Sequence, residues 1–83
     1  MSMILKYPLS TEKSVKLISS ENKITFIVDT HTTKKQIKEE FEKMFKVKVL
    51  KVNTLIDGNR KKAYIKLAAE NPAIDIATQM GIM

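Results

Sequence analysis

The sequence predicts an α+β fold in which an antiparallel β-sheet of three to four strands has its helices packed on one face. Three observations lead to this prediction: segments that alternate apolar and polar residues, segments with apolar residues at helical spacing, and an Asp-Gly hairpin signal between the last two predicted strands. The chain has 83 residues, and 43% of them are hydrophobic, which suffices for one small core. We therefore expect one domain over residues 1–83 and no cleft between domains.

Strand-forming composition marks four segments, which cover residues 3–7, 23–29, 46–56 and 62–67, the last two flanking a tight turn at residues 57–60. In the second segment, Ile24 and Phe26 fall on one face of the strand, whereas Thr25 and Ile27 fall on the other. The third segment changes phase at Val49-Leu50, and such a slip predicts a β-bulge.

Helices are predicted over residues 11–20, 33–45 and 71–81. Thr11 offers a hydroxyl as N-cap of the first helix, and Thr33 with Gln36 fits a capping box at the start of the second. In the last helix, Asn71 is placed at the N-cap and Pro72 at the first helical position. The second helix presents one apolar face, formed by Ile37, Phe41, Met44 and Phe45.

Composition excludes several classes of function. The chain has no Cys and a single His, so it offers no disulfide framework, no thiolate zinc site and no multi-His metal site. We expect no metal and no cofactor, and the absence of Cys is compatible with the cytosol. No apolar run is long enough to span a bilayer, and the N-terminal segment lacks the pattern of a secretory signal.

Catalytic constellations are also missing. His31 lies next to a predicted helix start with no nucleophile motif nearby, so we interpret it as an exposed turn residue. Glu39, Glu40 and Glu42 are expected on the solvent-exposed face of the second helix, among lysines. Ion pairing explains them there better than acid–base chemistry. No glycine-rich phosphate-binding loop is present. The sequence therefore predicts no enzymatic activity.

Charge points to a polyanionic partner. Fifteen Lys and Arg residues against nine Asp and Glu residues give a net charge of +6. In the predicted two-layer, ferredoxin-like sandwich, the sheet face without helices is free to bind. If the hairpin pairs in register, that face brings together Lys51, Asn53, Lys62, Tyr64 and Lys66, which Arg60 and Lys61 extend into the turn. A second basic cluster, at the start of the second helix, consists of Lys34, Lys35 and Lys38.

Four segments of the chain, in the same order, resemble the L23 family of large-subunit ribosomal proteins. They are Ser10-Thr11-Glu12-Lys13, the segment 47–55 with its Val52-Asn53-Thr54, Lys61-Lys62-Ala63-Tyr64, and ENKITFIVD at residues 21–29. The closing helix and the short hairpin turn look like the archaeal form. Bacterial members carry a long basic hairpin that reaches into the polypeptide tunnel, and the turn at residues 56–61 is too short for that.

The resemblance implies a structural, rRNA-binding protein beside the exit of the polypeptide tunnel, in the cytoplasm. Its implied partners are large-subunit rRNA, neighbouring ribosomal proteins, and factors that meet the nascent chain, including signal recognition particle and the translocation channel. It implies neither membrane insertion nor a homo-oligomer. In bacterial members the chaperone trigger factor docks on the glutamate that matches Glu12, so we expect Glu12 to belong to a docking surface.

We expect the following residues to contact RNA: Lys13, Lys16, Lys34, Lys35, Lys38, Lys51, Asn53, Thr54, Arg60, Lys61, Lys62, Tyr64 and Lys66. Of these, Thr54 is expected on the open sheet face together with its strand neighbours Lys51 and Asn53. Two alternatives stay open. One is a free-standing single-stranded RNA-binding domain that uses the open sheet face, for which Tyr64 would be nearly the only aromatic residue. The other is a small ligand-binding or regulatory domain, for which no loop suggests a pocket.

Overall fold

A computed structural model describes residues 3–82 of the chain. The elements of this part are β1 (Leu5–Pro8), α1 (Glu12–Glu21), β2 (Lys23–Val28), α2 (Lys34–Phe45), β3 (Val49–Asp57), β4 (Arg60–Leu67) and α3 (Ala73–Gln79). Residues 1, 2 and 83 lie outside the described residues. The expected domain 1–83 is therefore described without its two ends. The N-terminal segment, expected not to be a secretory signal, is described without its first two residues. No helix among residues 3–82 is long and apolar enough to cross a membrane.

The four strands of the described chain form one sheet in the order β1-β2-β4-β3, and all neighbouring strands are antiparallel. β3 and β4 form a hairpin whose two-residue loop uses Gly58 at a φ of 65°, a left-handed conformation that suits glycine. The hairpin folds back so that β4 lies between β2 and β3. This arrangement confirms the predicted α+β fold with an antiparallel sheet.

The hydrophobic core lies between the sheet and the helices. Ile24, Phe26 and Val28 of β2 are buried there beside alternate residues of β4, and Ile37 and Phe41 of α2 pack onto them. The rings of Phe26 and Phe41 meet edge to face with their centroids 5.7 Å apart, which is a favourable aromatic geometry. The face of α2 that packs onto the core is narrower than the predicted apolar face.

Met44, a residue of that predicted face, does not belong to the core, because it is 39% exposed. Phe45 packs at the edge of the core, and its ring lies 4.6 Å from that of Phe41. The expectation that Met44 belongs to the buried face is therefore wrong.

The starts of α1 and α2 follow local sequence signals. The Thr11 hydroxyl accepts a hydrogen bond from the Ser14 N–H at 3.3 Å. At α2, the Thr33 hydroxyl accepts from the Gln36 N–H at 3.2 Å, and the Gln36 side chain accepts from the Thr33 N–H at 2.9 Å. The predicted N-cap and capping box are confirmed.

The start of α3 differs from the prediction by one residue. Pro72 occupies the N-cap position and offers no side-chain cap, so the helix begins at Ala73. Asn71 precedes the cap, and its side-chain oxygen accepts a hydrogen bond from the Lys48 N–H at 2.9 Å. Asn71 was therefore wrongly placed at the N-cap, because a distant backbone donor takes up its side chain.

β3 begins later than predicted and contains the predicted bulge. Lys46 ends α2 in a left-handed conformation, with a φ of 54°, so the strand starts only at Val49. The pairing with β4 shifts between Val49 and Lys51, which makes Leu50 the extra residue. The bulge predicted from the phase slip is confirmed.

Candidate nucleic-acid interface

The sheet face away from the core, here called the open face, carries the basic residues that alternate along the strands. Its members are Tyr7 of β1, Lys23, Thr25 and Ile27 of β2, Lys51, Asn53, Leu55 and Asp57 of β3, and Arg60, Lys62, Tyr64 and Lys66 of β4. Directly paired residues of an antiparallel sheet share a face, so the register alone determines this set.

Cross-strand rows organise the open face. Lys66 lies between Lys51 and Lys23, which gives a row of three lysines, and Tyr64 lies between Asn53 and Thr25 in the next row. The predicted neighbourhood of Lys51 and Asn53 with the alternate residues of β4 is confirmed. Like charges directly opposite one another repel, so the lysine row favours an anionic partner.

One lysine of that row is already neutralised. Lys23 Nζ lies 3.0 Å from a carboxylate oxygen of Glu21. Within residues 3–82, neither Lys51 nor Lys66 has an ion-pair partner within 4.0 Å. Their charges are therefore the ones that remain available to a phosphate.

Asp57 forms ion pairs with two cations at the opposite end of the open face. Its Oδ2 lies 3.2 Å from Lys62 Nζ and 3.5 Å from an Arg60 guanidinium nitrogen. The hydrogen bond and the charge of Lys62, followed by the charge of Arg60, hold the pKa of Asp57 below its ordinary value of 3.8. This end of the face thus carries internally paired charges.

Tyr7 is an open-face residue that the sequence analysis missed. It is 44% exposed and lies in register with Ile27 and, one strand further, Lys62. A hydrogen bond to Tyr7 is the main reason why the pKa of Arg60 is raised. No sequence signal marks this position, because the pairing of β1 with β2 is irregular between Leu5 and Tyr7.

The open face is partly covered over β2. Thr25 and Ile27 are only 1% and 2% exposed, although the register puts them on the open face. Leu9, which precedes α1, and Leu17, in the middle of that helix, border the same cavity as Thr25. The uncovered surface expected from the sequence is therefore centred on β3 and β4.

Two predicted contact residues do not belong to the open face. Thr54 pairs with Ala63, which is fully buried in the core, so Thr54 lies on the helix side of the sheet and its predicted place on the open face is wrong. Lys61 pairs with the core residue Val28, and its Nζ donates to the carbonyl of Thr32. Lys61 therefore fastens the hairpin to the loop before α2.

The remaining predicted residues lie on the helices. Lys34, Lys35 and Lys38 are exposed on α2, which packs on the core side of the sheet, so they form a surface separate from the open face. Lys13 borders the open face, since it shares a cavity with Lys62 and Tyr64. Lys16 is exposed one turn further along α1, and Glu12 is exposed at the first residue of that helix.

No group of three or more His, Asp or Glu side chains in residues 3–82 could hold a metal ion. His31 is exposed, and its backbone N–H donates to Asp29 at 3.4 Å. What the geometry offers is an antiparallel sheet with a half-covered, basic face that carries two tyrosines.

Comparisons with known proteins give the family of this chain. Residues 3–58 match the family Ribosomal protein L23. The Large ribosomal subunit protein uL23 of Trypanosoma brucei brucei is 49% identical over 82 residues, which are 96% of this chain and 49% of the relative. The protein of the same name from Pyrobaculum aerophilum is 49% identical over 81 residues, which are 96% of this chain and 100% of the relative.

The chain belongs to the ribosomal protein L23 family. It spans about half the length of the trypanosome relative, 49%, and the whole length of the Pyrobaculum one, 100%. The family is structural and non-enzymatic, in agreement with the prediction of no catalytic activity. Membership also indicates a ribosome-associated, cytoplasmic location, as the resemblance implied.

Proposed function

We propose that this protein is a structural constituent of the large ribosomal subunit that binds large-subunit rRNA through its open face. The observation that carries the proposal is the cross-strand row of lysines, of which Lys51 and Lys66 have no ion-pair partner among residues 3–82. Phosphates would relieve the repulsion between these lysines and release condensed counterions. Tyr64, Asn53 and Tyr7 add groups that stack on bases or bond to sugar hydroxyls.

Contacts from the helices extend the proposed interface. Lys13, and Lys16 one turn further on, would bind phosphates at the border of the open face, while Lys34, Lys35 and Lys38 would bind a separate stretch of RNA from α2. Thr54 and Lys61 are proposed only as contacts outside the open face, where the register puts them. Such a dispersed set of contacts would recognise the shape of the RNA rather than a short base sequence.

Its position beside the polypeptide exit tunnel and its share in a docking platform are proposals that rest on family membership. The partners would be neighbouring ribosomal proteins, signal recognition particle and the translocation channel, with Glu12 as a docking residue and neither membrane insertion nor self-association. In support, Glu12 is exposed at the start of α1. A Glu12→Gln change is expected to weaken factor binding to ribosomes without altering incorporation.

Cosedimentation tests the proposed function. The tagged protein, expressed in its own host, is expected to remain stoichiometric on large subunits after a high-salt wash. A Lys51→Met, Lys66→Met variant should be released at lower salt, whereas a Lys43→Met variant, altered on the opposite layer, should behave as the unaltered protein. Release of the unaltered protein at moderate salt, or an equal affinity for both subunits, would contradict the proposal.

The free-standing RNA-binding domain remains the second candidate. It gains support from Tyr7, which gives the open face a second aromatic residue besides Tyr64. Base stacking on two aromatic side chains is what sheet platforms for single-stranded RNA use. This candidate predicts recovery of assorted RNAs free of ribosomal subunits in the same sedimentation experiment.

A further inference from the structure

β3 is the longer of the two strands that form the edges of the sheet in residues 3–82. The strand order β1-β2-β4-β3 leaves one side of β1 and one side of β3 without a neighbouring strand. β1 has four residues and ends at Pro8, whereas β3 has nine, from Val49 to Asp57. An edge strand presents a row of N–H and C=O groups to which another chain can add. The sheet can therefore be extended at β3.

The register of the hairpin shows which backbone groups of β3 point outwards. Asp57 and Arg60 flank the two-residue loop, and the residues in these positions of a β-turn share a hydrogen bond. Hydrogen-bonded and non-hydrogen-bonded pairs alternate along an antiparallel ladder. The N–H and C=O groups of Ile56, Thr54 and Val52 therefore point away from β4, towards the edge.

The hydrogen bonds at the far end of β4 agree with this alternation. The N–H of Leu67 bonds to the carbonyl oxygen of Asn22, next to β2, at 3.1 Å, and the following N–H, of Ala68, bonds to that of Lys48, just before β3, at 3.0 Å. Successive residues thus bond to opposite sides. Within residues 3–82 no further backbone hydrogen bond takes up the outward groups of β3, so these groups are available to an added strand.

Features that protect an edge are present on only one half of β3. Edge strands are commonly shielded by bulges, lysines or prolines. The bulge at Leu50 and the charge of Lys51 lie at the start of β3, while residues 52–56 contain no charged residue and no proline. An uncharged strand without these features tends to pair with other chains. A fixed partner on residues 52–56 would remove this hazard.

Apolar side chains flank this unprotected half on both faces of the sheet. Leu55, on the open face, is 52% exposed, and Ile56, on the helix side, is 62% exposed. A strand added beside β3 would cover both, because opposed side chains of neighbouring strands lie about 5 Å apart. RNA does not fit here, since residues 52–56 offer no cation to a phosphate. The chemistry selects an extended, uncharged protein segment with adjacent apolar residues.

We propose that residues 52–56 form a docking edge, to which an extended segment of a neighbouring large-subunit protein adds as a fifth strand. The segment places two adjacent apolar residues against Leu55 and Ile56, and its backbone bonds to the outward groups of the edge. This inference rests on the proposed function, because it specifies how the chain contacts a neighbouring protein. It leaves the lysine row of the open face to RNA.

Amide hydrogen exchange tests the docking edge in three samples. They are the free protein, its complex with a transcript of the host's large-subunit rRNA, and intact large subunits of the host. The amides of Val52, Thr54 and Ile56 should exchange rapidly in the first two samples and about tenfold or more slowly in the subunit, where each gains a hydrogen bond. The amide of Asn53, which points towards β4, should be protected in all three.

Substitutions at Ile56 test the same contact in tagged protein that is purified within large subunits. Ile56→Pro removes one outward N–H and leaves the bonds to β4 in place, which an edge strand tolerates, so it should abolish the slow exchange of Thr54. Ile56→Lys keeps the backbone donor, places a charge on the edge and should have the same effect. Ile74→Lys is the matched control, since Ile74 is also exposed, on α3, and should leave the slow exchange unchanged.

Three results would overturn the docking edge alone while the protein is present in large subunits. One is rapid exchange of the outward amides in the subunit, as in the free protein. Another is slow exchange already in the rRNA complex, which would assign the edge to RNA. The third is unchanged slow exchange of Val52 and Thr54 in Ile56→Lys subunits. Absence of the unaltered protein from large subunits would overturn the proposed function together with the docking edge.

Discussion

The side-chain oxygen of Asn22 accepts a hydrogen bond from the backbone N–H of Ala73 at 2.6 Å. The Asn22 amide nitrogen donates to the carbonyl oxygens of Leu67 and Ala68 at 3.1 and 3.2 Å. One side chain thus joins the end of α1 to the end of β4 and the start of α3. Through its bond to Ala73, Asn22 also caps the start of α3, where Pro72 offers no side-chain cap.

Asn22 is expected to be a main determinant of stability. It ends α1 with a φ of 55°, so Asn22→Ala loses the hydrogen bonds and also strains the backbone, whereas Asn22→Gly loses only the bonds. We expect Asn22→Gly to cost about 2–3 kcal/mol of unfolding free energy, and Asn22→Ala about 1 kcal/mol more. Urea unfolding followed by circular dichroism measures both values.

Asn59, which is exposed in the hairpin turn, gives the control for Asn22. An Asn59→Ala change should alter the unfolding free energy by no more than about 0.5 kcal/mol. Equal losses for Asn22→Ala and Asn22→Gly would show that the backbone conformation of Asn22 contributes nothing.

Asp57 gives a pH-dependent contribution to stability. Its pKa in the folded protein is lowered, mainly by Lys62, so the folded state favours the ionised carboxylate. The resulting stability is present above the unfolded-state pKa and is lost as the pH falls through the lower folded-state pKa. An NMR titration of the Asp57 side chain should therefore give a midpoint below 3.8.

The partners of Asp57 can be separated by substitution. Lys62→Met should raise the Asp57 midpoint more than Arg60→Met does, because Lys62 makes the closer contact, 3.2 Å against 3.5 Å. Both effects should shrink in high salt, since Asp57 and Arg60 are exposed to solvent and Lys62 is partly exposed. A larger effect of Arg60→Met would contradict this ranking.

Lys66 should contribute to RNA binding through charge alone. Lys66→Met is expected to weaken binding of different RNA sequences uniformly and to reduce the slope of log affinity against log salt by about 1. Titrations of large-subunit rRNA at several salt concentrations measure the slope. Lys43→Met, on the exposed side of α2, serves as control and should leave it unchanged.

The basic cluster on α2 can be tested against the open face in the same titrations. Lys38 and Lys66 lie on opposite layers of the fold, and distant sites contribute additively. If both surfaces bind RNA, the losses caused by Lys38→Met and Lys66→Met should add up in the double variant. No loss from Lys38→Met would remove the α2 cluster from the interface.

Tyr64 is expected to contact RNA while contributing little to the fold. It is half-buried in the middle of the open face, paired with Asn53 and Thr25. Tyr64→Ala should weaken binding by about 1–3 kcal/mol if a base stacks on the ring, and Tyr64→Phe should retain most of the affinity. A well-folded Tyr64→Ala variant with unchanged affinity would remove Tyr64 from the site.

Local signals predicted most of the fold. The capping box of Thr33 and Gln36 involves neighbours in sequence, and the phase slip at Val49-Leu50 is visible within one strand. Alternation likewise separates Ile65 from Tyr64, because the two faces of a strand follow from parity alone. These features depend on few residues, which is why the sequence reveals them.

Tyr7 and Thr25 were not predicted as part of the open face, because distant segments decide their surroundings. The irregular pairing after Leu5 brings Tyr7 onto the open face, and the start of α1 helps to bury Thr25; neither effect is visible in one segment. Thr54 and Lys61 were included for their chemistry although parity puts them on the other face. The sequence thus predicted which kinds of residue form the candidate site. Which residues belong to it became clear only from the register of all four described strands.

The position of β4 determines when the protein can fold during synthesis. Neighbouring strands lie about 4.8 Å apart, so β2 and β3 stand about 10 Å apart with β4 between them. The ribosome makes both flanking strands first and must release Arg60–Leu67 before any sheet wider than β1 and β2 exists. A chain that ended at residue 58, where the match to the family ends, would contain β3 without a neighbouring strand, so residues 59–83 decide whether the earlier part folds into the sheet.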